Sequence, residues 1–316
     1  MSKTQHPGGT RQATETLETL PTKDKAGEVS GVPATTGKSQ GSRPELGLGG
    51  LQEPERSAIP RVPAAQRQGG SQIVYGNYGS IITTKDPTWK YGGFPQPGGT
   101  FWQYREPNAV VVVEGDRLRV SAVPLTRSHD QVQILDNAKN MYFSTQRFEP
   151  PEQGTITLEW WMSARGIETA PRDLYDGFVS VNLLDFANGL ALDIFMSNDV
   201  IATVYARLPF PGVPVPEESK TDRPKYFCYF HELELPTKPG TRHDCKIAYT
   251  KSTDELIFWI DGVEVSHYTE VPAKMGSFLI ALGLMTEKPI HQGKSASLHG
   301  QGLIGEWGPF TITKSL

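Results

Sequence analysis

The sequence predicts an all-β fold, a sandwich or barrel of short strands, that follows a low-complexity N-terminal segment. Three observations support this prediction. From Gln72 onward, β-branched and alternating apolar runs of strand length recur along the chain. Asn-Gly, Asp-Gly and similar turn residues separate these runs at short intervals. After Tyr75, no stretch has the periodicity of a long amphipathic helix.

The first 70 residues differ in composition from the rest of the chain. They contain no Phe, Tyr or Trp and are rich in Gly, Pro, Ser, Thr and Gln, and the first aromatic residue is Tyr75. Such a segment cannot bury enough apolar surface to offset the conformational entropy that is lost on ordering. We therefore predict a disordered tail over residues 1–70 and one β-sandwich domain over residues 71–316.

The first predicted strands lie between Ala109 and Leu208. Residues 109–125 read as a hairpin that turns at Glu114-Gly115-Asp116, and residues 154–165 alternate over the length of one strand. Residues 177–208 read as three consecutive strands, with turns at Asn188-Gly189 and at residues 197–199. Consecutive strands of this kind usually pair with each other.

A proline-rich stretch then interrupts the pattern. Residues 207–225 are predicted to form a long loop, which either carries function or crosses between sheets. Strands resume in residues 243–271, with turns at residues 252–254 and at Asp261-Gly262. Residues 276–286 and 305–313 complete the series, which gives the succession of short strands that a sandwich or barrel requires.

Charge and hydropathy restrict the class of partner. The chain has a net charge of −4, and because residues 1–70 hold nine basic and seven acidic residues, the remainder is more acidic still. The sequence therefore lacks the excess of basic residues that binding to a phosphate backbone requires, and nucleic acid is not expected as a partner. The N-terminus shows no apolar core of a secretory signal, and no run approaches the ~20 apolar residues of a membrane helix. We expect a soluble, cytoplasmic protein without a membrane partner.

The sequence contains two cysteines, Cys228 and Cys245. Two cysteines in a chain of 316 residues do not make a disulfide framework. Free thiols are the prediction for a reducing compartment, and a single bridge is the alternative.

Several stretches resemble known proteins. The segment "CKIAYTKSTDELIFWIDGVEV" (residues 245–265) resembles the late hairpin of the concanavalin A-like lectin/glucanase superfamily. Residues 130–148, 172–189 and 299–312 together resemble a microbial family known only as a domain of unknown function. The likeness extends over residues 72–313. It implies a jelly-roll β-sandwich of the concanavalin A-like type and implies no reaction.

Strand alternation sorts the side chains into two faces. One face is aliphatic, as in Ile156, Leu158, Val204 and Ala206, and is predicted to be the sandwich core. The other face combines aromatic rings with a few polar groups, as ligand sites usually do. Its members are Glu159, Trp161, Asp193, Phe195, Tyr205 and Arg207. The alternative is a second packed layer in which Arg207 pairs with one of the carboxylates.

The candidate acid/base residues are Glu159, Asp193 and His231, with Asp130 as a further candidate base. The resemblance implies that related glucanases carry two acidic residues on one face of one strand. Here Phe195 takes the position of the second acid, so glycoside hydrolysis is disfavoured.

The loop "HGQG" (residues 299–302) has two interpretations. It either closes the sandwich or brings Gln301 and His299 to the mouth of the site. The acidic stretch in residues 172–177 could bind calcium through oxygen ligands or be a turn, and no other cofactor is expected.

These residues leave three functions open. The first is binding of a glycan or small amphiphilic metabolite on one sheet face without hydrolysis, with Trp161, Phe195, Tyr205, Arg207 and Gln301 as ligand contacts. The second is acid/base catalysis in the same cavity by an isomerase, cyclase or lyase. The third is a structural or protein-interaction domain. A perturbed pKa in a closed pocket would favour the enzyme, and an open groove would favour the binding protein.

Overall fold

A computed structural model of the protein describes residues 70–82, 87–95, 99–128, 138–208, 226–288, 290–291 and 294–315. The predicted disordered tail up to residue 69 lies outside this range. The same holds for Asp130 and for residues 209–225 of the proline-rich stretch.

The described residues form two large antiparallel sheets. The nine-stranded sheet contains β1 (Ser71–Tyr75), β5 (Val110–Glu114), β6 (Arg117–Ala122), β8 (Thr155–Ile167), β13 (Arg242–Thr250), β14 (Glu255–Ile260), β15 (Val263–Tyr268), β19 (Gly302–Trp307) and β20 (Phe310–Ser315). The seven-stranded sheet contains β2 (Trp89–Tyr91), β7 (Ala138–Ser144), β9 (Phe178–Asp185), β10 (Leu190–Met196), β11 (Ile201–Arg207), β12 (Phe227–Glu232) and β16 (Leu279–Met285).

Short elements complete the described fold. They are two small hairpins, β3 (Gly93–Pro95) with β4 (Phe101–Gln103) and β17 (Ile290–His291) with β18 (Lys294–Ser295), an α-helix over Gly79–Ile82, and a 3-10 helix over Leu174–Asp176. None of the helices in the described ranges has the length and apolar character needed to span a membrane.

Strand order follows the predicted turns where strands are adjacent in sequence. The seven-stranded sheet runs β12-β11-β10-β9-β16-β7-β2, so the three strands predicted in residues 177–208 are neighbours. The hairpins at Gly115 and at Asp261-Gly262 are present, and all three turn residues have positive φ, which glycine tolerates best. The long strand β8 pairs with both β19 and β20 on one side and with β13 on the other.

The main core lies between the two sheets. Alternation in β8 directs Ile156, Leu158, Trp160 and Met162 into this core, as predicted, and all four are buried. Each such side chain contributes ~1.5–3 kcal/mol to stability through loss of apolar surface from water. The predicted all-β sandwich is confirmed.

A second hydrophobic cluster covers the opposite face of the seven-stranded sheet, which we call its outer face. Here Phe195 and Val204 pack with Phe94 and Tyr104 from the region of the β3–β4 hairpin and with Leu174 of the 3-10 helix. Strands β9 and β10 are consequently buried on both faces. The second packed layer, which was the alternative to a ligand-binding face, is thus present. It is built in part by segments that are distant in sequence from the strands they cover.

The predicted orientation of β11 was wrong. We expected Val204 and Ala206 in the sandwich core, but both lie in the outer-face cluster, whereas Ile201 and Tyr205 lie in the main core. Both faces of this strand are buried, so hydrophobicity gave no basis for choosing between them.

Candidate functional site

Asp193 lies at the centre of the outer face of the seven-stranded sheet. Its neighbours across the sheet are Asn182 on β9 and Val204 on β11. Its side chain is buried, and Oδ1 has no hydrogen-bond partner within the described part of the chain. Burial raises the pKa of Asp193 well above its ordinary value, and the charge of Glu287 raises it further. Asp193 is therefore much harder to ionise than an exposed aspartate.

Glu287 is the second carboxyl group at this site, two residues beyond the end of β16. Its backbone N–H donates to the carbonyl oxygen of Tyr175, at 2.9 Å, in the 3-10 helix. The ring of Tyr175 in turn stacks on Phe230 of β12, with 5.9 Å between centroids. This brings the segment after β16 against the outer face, and burial there raises the pKa of Glu287 to about 8. We call Asp193 and Glu287 the carboxyl pair.

The carboxyl pair also affects the pKa values of neighbouring ionisable groups. Cys228 lies on the outer face of β12, and burial, then Asp193 and Glu287, raise its thiol pKa to about 11. Burial and the charge of Glu287 also raise the pKa of Tyr175. The charge of Glu287 thus acts on side chains from three other segments of the chain, those of Asp193, Cys228 and Tyr175.

The carboxyl pair has the properties of acid/base chemistry. A carboxyl group whose pKa is strongly raised can donate a proton as a general acid, and one that titrates near pH 8 can take a proton up when it is ionised. In enzymes, acid and base roles are often assigned to two carboxyl groups by surroundings that shift their pKa values.

An ion-pair cluster lies beside the carboxyl pair, and we define it as Asp173, Asp176, Lys288 and His299. The ammonium group of Lys288 bonds to Asp173 and lies 3.5 Å from Oδ1 of Asp176. The imidazole Nε2 of His299 lies 2.9 Å from the same oxygen of Asp176. Burial alone would raise the pKa of Asp176, but the N–H of Ala170 together with His299 and Lys288 lowers it. Asp176 is therefore an ionised anchor.

Gln301 connects the loop "HGQG" to this cluster. Its Oε1 accepts the backbone N–H of His299 at 2.9 Å, and its Nε2 donates to the carbonyl oxygens of Ser297 at 2.7 Å and Asp176 at 3.3 Å. Gly300, with φ +104°, allows this tight turn. Gln301 is fully buried, and its side-chain oxygen and nitrogen are already hydrogen-bonded within the protein. This supports the loop-closing interpretation over the ligand contact that we predicted.

Glu159 and Trp161 lie away from the carboxyl pair. Both belong to β8 and line an open groove of about 1160 Å³ on the other sheet. The prediction of a single face shared with Asp193 and Phe195 was wrong, because β8 is in the nine-stranded sheet and β10 is in the seven-stranded sheet.

The indole of Trp161 is a poor platform for a sugar ring. The guanidinium of Arg242 lies 4.5 Å from its ring centroid. The indole also packs against Gly308, where an added Cβ would come within 2.0 Å of Nε1. These two contacts leave little of the ring for stacking with a sugar.

Tyr205 and Arg207 do not lie beside the carboxyl pair. Tyr205 is in the main core and donates its hydroxyl to the carbonyl oxygen of Ala273 at 2.8 Å. Arg207 donates to the carbonyl oxygen of Asn188 at 3.1 Å, and within the described ranges it forms no ion pair with Asp193 or Glu159, the alternative considered from the sequence.

His231 and Phe195 lie on opposite faces of the seven-stranded sheet. His231 is exposed on edge strand β12, with Nδ1 3.0 Å from the hydroxyl of Ser266, and it faces away from the Cys228 side of that strand. Phe195 lies on the outer face with Asp193, and its ring packs on Phe178 with 4.4 Å between centroids.

Glu287, Tyr175 and Cys228 were not predicted as site residues from the sequence. A signal for Glu287 existed, since it continues the alternation that places Leu279 and Met285 on the outer face. Among the residues that the structure describes, no three His, Cys, Asp or Glu side chains are grouped to hold a metal ion.

The sequence from residue 76 to residue 316 matches a family of unknown function, DUF6081. The chain belongs to this family. No curated protein matches the chain. The family match confirms the predicted resemblance to a family of unknown function, and the two large antiparallel sheets confirm the predicted β-sandwich.

Solved structures are similar at low sequence identity. An endo-1,3-beta-glucanase from Streptomyces sioyaensis has a TM-score of 0.49 and 15% identity, covering 81% of this chain and 99% of that chain. The Emp47p carbohydrate recognition domain has a TM-score of 0.41 and 14% identity, covering 75% and 93%. A sialidase has a TM-score of 0.39 and 10% identity over 73% of this chain, which spans 17% of the sialidase. Similarity at this level concerns the fold alone.

Proposed function

We propose that the protein binds a small, uncharged and largely apolar molecule at the outer face of the seven-stranded sheet, and that the carboxyl pair exchanges protons with it. Asp193 donates a proton to one substrate atom, and ionised Glu287 removes a proton from another. The substrate is isomerised or cyclised, so protons balance and no oxidant is consumed. This is the acid/base function of the isomerase, cyclase or lyase kind.

The observation that carries the proposal is the buried carboxyl group of Asp193. Its Oδ1 has no partner among the described residues, and an unsatisfied buried polar atom costs ~1–3 kcal/mol. Buried structural acids are normally paired or hydrogen-bonded. A ligand atom that accepts or donates a hydrogen bond at this oxygen would remove the cost, so a binding role explains why the acid is kept there.

The surroundings of Asp193 favour an amphiphilic metabolite over a glycan. The side chains around it are mainly apolar, and the amide of Asn182 already donates to Ser180 and to the carbonyl oxygen of Ala281. An oligosaccharide would bury hydroxyl groups without partners there. A ligand with one or two polar atoms suits this surface better.

Ligand binding by the full chain tests the proposal. We would screen neutral terpenoid and aromatic ketones or lactones, with mono- and oligosaccharides beside them, by thermal shift. Asp193→Asn keeps the shape of the side chain, and Asp116→Asn, an exposed acid in a turn of the other sheet, is the matched control. We expect an apolar ligand to stabilise the wild type and Asp116→Asn, and to lose affinity in Asp193→Asn.

Turnover is then followed in D₂O. Acid/base chemistry predicts exchange of a substrate C–H for deuterium in the wild type and much slower exchange in Glu287→Gln. Saccharide binding that is insensitive to Asp193→Asn would overturn the proposal, as would an apolar ligand that binds both variants equally.

A further inference from the structure

We propose that Lys288 and Asp176 are positioning residues that hold Glu287 against Asp193 through the ion-pair cluster. The inference rests on the proposed function only for the catalytic role given to Glu287. The positioning itself is a property of the protein without ligand.

Two contacts act on adjacent residues of the segment after β16. The backbone N–H of Glu287 bonds to the carbonyl oxygen of Tyr175. The ammonium of the next residue, Lys288, pairs with Asp173 and Asp176, which lie two residues before and one residue after Tyr175. One hydrogen bond and two ion pairs therefore join this segment to a single turn of 3-10 helix.

The helix that receives these contacts is itself fixed. The side chain of Asp176 is 2% exposed and accepts the N–H of Ala170 at 2.7 Å. His299 bonds to its carboxylate, and Gln301 donates to its backbone carbonyl oxygen. Asp173 accepts the N–H of Tyr175 and so caps the helix. Lys288 is thus paired with two anchored carboxylates.

Glu287 needs such an anchor. Burial opposes its ionised form and favours conformations in which the carboxylate reaches water. The ion pairs of Lys288, whose side chain is 23% exposed, are partly shielded from solvent and therefore stronger than surface pairs. They oppose the release of Glu287.

The test is the titration of Glu287 in three variants. Lys288→Met removes the charge and keeps an unbranched side chain, and Lys288→Arg restores a cation. Lys274→Met is the matched control, since Lys274 pairs with Asp254 at 3.0 Å but is half-exposed. Carboxyl ¹³C NMR of the full chain follows each titration, and Glu287→Gln identifies the resonance.

We expect the pKa of Glu287 to fall in Lys288→Met from about 8 towards the ordinary value of 4.5, because the released carboxylate reaches water. Lys274→Met and Lys288→Arg should keep the wild-type value. If Lys288 acted only as a nearby charge, its loss would raise the pKa of Glu287. A rise, or no change, would overturn the proposal.

A second variant covers the case in which Lys288→Met does not fold. Asp173→Asn removes one ion pair, and its amide oxygen can still cap the helix. The same fall in the pKa of Glu287 is expected, to a smaller extent, and its absence counts against the proposal. No ligand is present in these titrations, so their failure leaves the binding test at Asp193 unaffected, and failure of that test leaves the positioning unaffected.

Discussion

Replacement of Glu287 by Gln should change how stability depends on pH. Gln has the shape of protonated Glu and cannot ionise. In the folded protein the pKa of Glu287 is about 8, compared with an ordinary value of 4.5. Because the folded state holds this proton more tightly, the wild type retains the full stability below pH 4.5 and loses it progressively as the pH rises to about 8.

The size of the effect follows from the two pKa values. Each pH unit between them corresponds to ~1.4 kcal/mol, so the interval gives about 5 kcal/mol. This is an upper limit, since Glu287 is half-buried and keeps some contact with solvent. Glu287→Gln should therefore match the wild type below about pH 4 and exceed its stability by several kcal/mol above pH 8. A stability cost of this kind is common for functional groups.

The assay is urea unfolding of both proteins at a series of pH values. The quantity of interest is the difference in free energy of unfolding between Glu287→Gln and the wild type. Glu149→Gln, at an exposed glutamate, serves as the matched control for the loss of a carboxyl group. A difference for Glu287→Gln that stays constant from pH 5 to pH 9 would refute the reasoning, because Glu287 would then have the same pKa in both states.

Three further predictions concern other residues. Gly308→Ala should destabilise the protein by ~1–3 kcal/mol in urea unfolding, since the new methyl group meets the indole of Trp161; an unchanged midpoint would contradict the packing. Gln301→Leu should lower the free energy of unfolding by ~2–3 kcal/mol, because buried hydrogen bonds are lost, and should leave ligand affinity unchanged. A loss of affinity without destabilisation would instead identify Gln301 as a ligand contact. Iodoacetamide should modify Cys228 slowly at pH 8 and faster towards pH 11, and buried Cys245 only after unfolding; fast reaction of Cys228 at pH 7 would be the contrary result.

Much of the fold could be predicted because alternation and turn residues are local signals. The strand of residues 154–165, the three strands of residues 177–208 and the Asp261-Gly262 hairpin are all present. Sheet membership is a long-range property that these signals do not contain. Strand β8 therefore appeared to share a face with β10, although its partners β13, β19 and β20 follow much later in the chain.

The site was predictable only in part. Asp193 stood out as a lone carboxylate in an apolar strand, and the structure buries it on a packed face. Its relation to Glu287, Tyr175 and Cys228 depends on segments that fold over the outer face. Tyr205 was assigned to the site because it alternates with Val204 and Ala206, which were predicted to be in the core. Both faces of β11 are buried, so alternation alone does not distinguish the core face from the other one.

The protonation state of Asp193 at neutral pH tests the central claim most directly. Carboxyl ¹³C NMR of protein labelled at aspartate, with Asp193→Asn to assign the signal, measures it in the full chain. The proposed proton transfer requires Asp193 to be protonated at pH 7, and burial of its side chain favours that form. If Asp193 is ionised at pH 7, it is not the uncharged buried acid on which the proposed proton transfer depends.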